Sequence, residues 1–65
     1  MTENEIYAIV NKAETGDLEA MKRAASIFVQ VASQHTDAGR LEQAMFCMSK
    51  VDEYKKKIKA MDPTW

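Results

Sequence analysis

Apolar residues recur at helical spacing almost from the start of this 65-residue chain. Ile6, Ile9, Val10 and Ala13 follow one another at i, i+3, i+4 and i+7, flanked by Tyr7, which predicts an amphipathic helix over about residues 3–14. Thr2 and Glu5 have the spacing of a capping box, in which each side chain satisfies a backbone donor at a helix start. Gly16 can take the left-handed conformation that closes this helix, and Asp17 is placed to cap the next.

A second helix, over about residues 18–35, gathers Met21, Ala24, Ala25, Phe28, Val31 and Ala32 on one face. Ile27 and Val29 widen that face, while Glu19, Lys22, Arg23, Ser26, Gln30 and Ser33 lie opposite. Such breadth suits a helix with two neighbours, and Ala20, Ala24, Ala25 and Ala32 permit close approach. The third helix spans about residues 40–61 and stops before Asp62 and Pro63, because a proline pushes the preceding residue out of the helical region. Its seam is Ala44, Cys47, Val51, Tyr54, Ile58 and Met61, spaced alternately by three and four, with Leu41 and Met48 extending it on one side. Local signals leave open whether Gly39 ends the second helix or sits in the first turn of the third. The expected fold is all-α, a three-helix bundle of antiparallel helices forming one domain over residues 1–65.

Residues 44–48, Ala-Met-Phe-Cys-Met, interrupt the amphipathic pattern with five apolar side chains in a row. At about 100° per residue, five consecutive positions encircle a helix, so one core cannot receive them all. Ala44 and Cys47 belong to the seam and Met48 closes one flank, which leaves Met45 and Phe46 pointing outward on roughly opposite flanks. Either irregular crossing angles bury both within the monomer, or Phe46, Met45 and the terminal Trp65 form an apolar patch that another surface covers.

Composition narrows the setting. With 46% hydrophobic and 29% charged residues the chain is globular in character, and its formal charge of −1 gives no overall reason to bind nucleic acid or an acidic surface. A single cysteine, Cys47, forms no internal disulfide, and a reducing compartment is the simplest assumption. Glu3 and Glu5 stand where a secretory leader would carry Lys or Arg, and no apolar run approaches the roughly 20 residues of a membrane span. The expectation is a cytoplasmic location without membrane insertion. Whether the chain is a whole protein or an excised domain stays open.

Lys50, Lys55, Lys56, Lys57 and Lys59 concentrate positive charge toward the end of the third helix, interrupted by Asp52 and Glu53. This is either a solvated face that complements the helix dipole or a rim that steers an acidic helix or, as the lesser alternative, a phosphate backbone. Nucleic acid is not expected as a partner, since interleaved aromatics are nearly absent. Nor is catalysis: the chain has no histidine pair, no glycine-rich phosphate cradle and no Ser-His-Asp or Cys-His set whose members could meet. Glu3, Glu5, Asp17 and Glu19 fall in first helical turns, where they complement the dipole. His35 reads as a partly buried residue near a helix end rather than a ligand, so no catalytic residue, metal site or cofactor is expected.

"AETGDLEAMKRAASIF", residues 13–28, resembles the opening of the short tetratricopeptide variant called Sel-one-like repeats, with Ala13, Glu14, Gly16, Asp17, Ala20, Ala25 and Phe28 in register. "GRLEQAMFCMSKV", residues 39–51, resembles the second helix of a tetratricopeptide unit through Gly39, Leu41, Glu42, Ala44 and Lys50. The chain departs from the family where a Gly-x-Gly loop should be, and it offers one repeat where a solenoid needs about three. "VDEYKKKIKAM", residues 51–61, is similar to the end of the third helix of the microtubule-interacting-and-trafficking (MIT) domain, and "YAIVNKAETGDLEAM" to its first turn, about two residues short. Both resemblances imply helical scaffolds that hold a peptide or helix of another protein in a groove.

The resulting expectation is a non-enzymatic protein-protein interaction module that docks a partner's helix or peptide. Its contact residues would be Met45, Phe46, Met48, Lys50, Lys57 and Trp65. Homodimerisation is the simplest way to cover such a patch. Two other readings stand beside it: a small stand-alone inhibitor, for instance from a phage or mobile element, acting on a host enzyme or defence complex, and a self-assembling structural subunit.

Overall fold

Local capping chemistry sets the boundaries of the first two helices in the computed structural model, which describes residues 2–65. Helix α1 spans Glu3–Glu14, and Thr2 Oγ1 accepts a hydrogen bond from the Glu5 backbone N–H at 3.3 Å, the threonine half of the expected box. Gly16, at φ +91°, closes α1 by donating to the Ala13 carbonyl. Asp17 then caps α2, Leu18–Asp37, its Oδ1 accepting from Ala20 N–H at 2.8 Å.

Helix α2 continues two residues beyond the expected end at 35. Thr36 Oγ1 donates back to the Ala32 carbonyl, and the helix closes only at Gly39, φ +79°. Arg40 N–H reaches the His35 carbonyl at 2.8 Å and Gly39 N–H reaches that of Thr36 at 3.1 Å, the paired closure of a Schellman motif. Gly39 therefore terminates α2, and α3 begins one residue later than expected, at Leu41–Met61. Its N-cap residue, Arg40, supplies no side-chain cap.

The fold is all-α, with α2 packed between α1 and α3. Its Cα framework measures 35 × 24 × 14 Å, and the shortest dimension is little more than one interhelical spacing of about 9 Å plus one helix backbone of about 4.6 Å diameter. The core is correspondingly thin. Ala13, Ala20, Met21, Ala24, Ala25, Tyr54 and Ile58 form its main cluster, with Ile9, Leu18 and Phe28 packed at the edge. Alanines on α2 let both neighbours approach, while Met21, Tyr54, Ile58 and Val51 supply the bulk.

Tyr54 ties all three helices together. Its ring stacks on Phe28 of α2 at a centroid separation of 6.0 Å, and its hydroxyl donates to Glu14 Oε1 of α1 at 2.8 Å. Burial, followed by that carboxylate, pushes its pKa up to about 12. At the same end of the molecule Lys22 Nζ of α2 lies 3.4 Å from Asp62 Oδ2, just past α3.

Several expected core positions lie in water. In α3, Ala44, Cys47, Val51, Tyr54 and Ile58 are buried, but Met61, Leu41 and Met48 are exposed. Met61 is the last residue of its helix, and α3 has only one close neighbour, too narrow to shelter side chains far from the seam. On α2, Phe28 and Val31 are half-buried and Val29 is exposed, while on α1 only Ala13 is fully buried, since its stripe too meets a single helix.

Candidate functional site

Seam residues Ala44, Cys47, Val51, Tyr54 and Ile58 fix how α3 faces its neighbour. From their mean direction, Met45 and Phe46 are rotated by roughly 140° and 120° in opposite senses. Neither finds cover: Met45 is 70% exposed and Phe46 61%. Burial of both within the monomer, the first of the two sequence readings, is thereby excluded.

The six residues expected to contact a partner separate into three groups. Phe46, Lys50 and Lys57 fall along one flank of α3, at intervals of four and seven residues. Lys50 Nζ sits 6.0 Å from the centre of the Phe46 ring and 3.3 Å from Glu53 Oε2 on the next turn, so the cation is held beside the aromatic. Lys57 lies about 16 Å farther along the helix than Phe46. Met45 and Met48 occupy the other flank, where Leu41 joins them at i, i+4, i+7; all three are exposed.

Trp65 is not part of this surface. Phe46 and the end of α3 at Met61 are about 22 Å apart along the helix, and Trp65 follows beyond. A small knot around Asp62 holds it there: the carboxylate accepts from Thr64 Oγ1 at 2.7 Å and from Thr64 N–H, while the Asp62 carbonyl accepts from Trp65 N–H. The Thr64 hydroxyl, and after it Lys22, hold the Asp62 carboxyl below its ordinary pKa.

Beside Phe46 an open groove of about 450 Å³ runs between the end of α2 and the start of α3, lined by His35, Glu42, Gln43, Phe46 and Cys47. No residue of α1 lines it. Twelve residues reach about 18 Å along the roughly 30 Å of α2, so the last turns of α2 lie beyond α1. Within the groove wall His35 Nδ1 accepts from Arg40 Nε at 2.8 Å, and Cys47 is buried. Helical periodicity alone does not place His35, Glu42 and Gln43 in the site. Glu42 and Phe46 are one turn apart, a signal that was present; His35 and Gln43 meet only through the α2–α3 turn.

Reactive chemistry is sparse. Among the described residues no three of His, Cys, Asp and Glu come together as metal ligands, and no buried polar side-chain atom lacks a hydrogen-bond partner. Among the same residues no helix is long and apolar enough to cross a membrane. What the surface offers is an aromatic and three thioether or aliphatic side chains on a helix, beside a groove rimmed by Glu42 and Lys50. Comparison of the chain with protein-family models, with curated proteins and with solved structures finds no match.

Proposed function

We propose that this chain is a non-enzymatic protein-binding module whose contact surface is the first half of α3. The observation that carries the reading is the exposure of Met45 and Phe46, on the two flanks of a helix whose seam from Ala44 to Ile58 is buried. An aromatic left in water on a rigid element forgoes roughly 1.5–3 kcal/mol of burial, a large fraction of what a small domain has in reserve, and a docked helix recovers it. Met45, Met48 and Leu41 add side chains that adapt to an irregular apolar partner. Lys50 gives this surface a basic edge, and Lys57 continues the charge about 16 Å farther along the same flank, which favours a partner with acidic residues flanking its apolar face. The resemblance of residues 13–28 and 39–51 to tetratricopeptide helices supports the same class of work, since these stretches fall largely on the adjacent helices α2 and α3.

The test is affinity capture from the native host with mass-spectrometric identification, run in parallel on the wild type, Phe46→Asp and Met45→Asp. Loss of the same captured protein in both variants, with unchanged helical circular dichroism, is the expected result. Capture that survives Phe46→Asp places the contact elsewhere. Binding that does not weaken with added salt removes the lysine rim from the reading.

A further inference from the structure

We propose that the helix received by this surface is α3 of a second copy of the chain, paired antiparallel about a two-fold axis at Phe46. The inference rests on the reading of α3 as a binding surface and supplies the occupant.

Its ground is the order of charges along one ridge. Glu42, Phe46 and Lys50 are four residues apart, so they form a single i, i+4 row, with an acid one turn before the exposed aromatic and a base one turn after it. A two-fold axis at position 46 that reverses the helix brings Phe46 onto its own equivalent. It also sets each Glu42 opposite Lys50 of the second copy, twice by symmetry. A parallel pairing in the same register would stack acid on acid and base on base. Charge order therefore selects both the axis position and the antiparallel sense.

Shape agrees with charge. Phe46 is at once a projecting ring and one wall of the open groove it shares with His35, Glu42, Gln43 and Cys47. In the antiparallel pair the two rings meet at the axis, where each covers the Phe46 wall of the other copy's groove. Lys50 is already positioned over its own Phe46 ring, and its partner Glu53 is more than half exposed, so the ammonium can turn to a second carboxylate without leaving a buried charge behind. The face covers about three turns of one helix. It falls at the small end of stable interfaces, below about 1,200 Å² in total, so the pairing is weak and depends on concentration.

Sedimentation velocity and equilibrium across protein concentration test this. The wild type should show a reversible monomer-dimer equilibrium, absent in Phe46→Asp. Glu42→Lys and Lys50→Glu should each weaken dimerisation by about tenfold, the effect of turning two rim ion pairs repulsive. Mixing the two variants in equal amounts should restore wild-type association, because in the mixed pair both contacts are attractive again; the double exchange Glu42→Lys/Lys50→Glu should restore it within one chain. Circular dichroism melts of each variant at low concentration check that the monomer folds. A wild type that stays monomeric up to about 1 mM overturns the pairing, as does a mixture that fails to recover. If such a monomer still loses a captured protein on Phe46→Asp, the occupant is foreign and the binding surface stands. If the wild type dimerises as described while capture is indifferent to Phe46→Asp, the pairing stands and the reading of foreign capture falls.

Discussion

Removing the Tyr54 hydroxyl gives a stability effect whose size depends on pH. Tyr54→Phe keeps the ring, its stacking on Phe28 and its volume, and deletes the bond to Glu14. Glu14 is exposed, so its carboxylate is rehydrated and no buried acceptor is orphaned; the cost at pH 7 should be about 1 kcal/mol. Alkali acts on the wild type alone. The folded state raises the Tyr54 pKa from 10.0 to about 12, by burial first and by Glu14 second, and so favours the neutral phenol. A raised pKa contributes stability in full below the unfolded value and loses it as pH rises through the folded one. Integrating that linkage, the wild type loses on the order of 1 kcal/mol at pH 11 that Tyr54→Phe does not. The wild type should therefore be the more stable protein at pH 7–9, and most of the difference should be gone near pH 11. Urea melts followed by circular dichroism at a series of pH values measure the difference directly, and effects common to both proteins, such as lysine deprotonation, cancel. A difference that stays constant from pH 8 to pH 11 would refute the reasoning, because it would mean that the phenol ionises as easily in the fold as in the unfolded chain.

Two further substitutions probe how the frame is built. Gly39→Ala should cost about 1 kcal/mol in chemical melts; an added Cβ meets nothing within 4 Å, so the whole penalty is the left-handed backbone at φ +79°, and Gly39→Asn should cost less. Ile58→Ala, at a fully buried position in the cluster with Tyr54 and Met21, should lower stability by about 2–5 kcal/mol; a loss under about 1 kcal/mol would show that α3 does not pack on α2 as described.

Helix spans are readable because their signals are local: Asp17 can cap only the helix after it, Gly16 closes only the helix before it, and Pro63 forbids helix at Asp62. Gly39 is ambiguous for the same reason, since its role depends on Arg40 reaching back to the His35 carbonyl. The exposure of Phe46 is legible as a contradiction within the pattern, five apolar residues with too few neighbours to receive them. A periodic stripe does not carry the number of helices that will meet it. Leu41 and Met48 therefore resemble core in the sequence and lie in water, and α1 buries only Ala13 of its four-residue stripe. Trp65 is close to nothing in sequence that would forbid its joining Phe46, but the bonds among Lys22, Asp62 and Thr64 keep it at the far end, and they involve a residue forty positions away. His35 enters the groove wall through the geometry of a turn that the sequence leaves undecided.

Among the described residues two side-chain bonds join distant parts of the chain, Tyr54 to Glu14 and Lys22 to Asp62; each spans forty positions, and both close the same end of the molecule. Every other large contact is between helices adjacent in sequence, reached through turns of three residues. Such a chain has little search to perform: the hairpin of α2 and α3 can assemble locally within microseconds to milliseconds, and the first helix is latched afterwards. Among the described residues the end bearing Phe46 has no such latch, so amide exchange should be fastest where α2 turns into α3 and slowest around Tyr54 and Ile58.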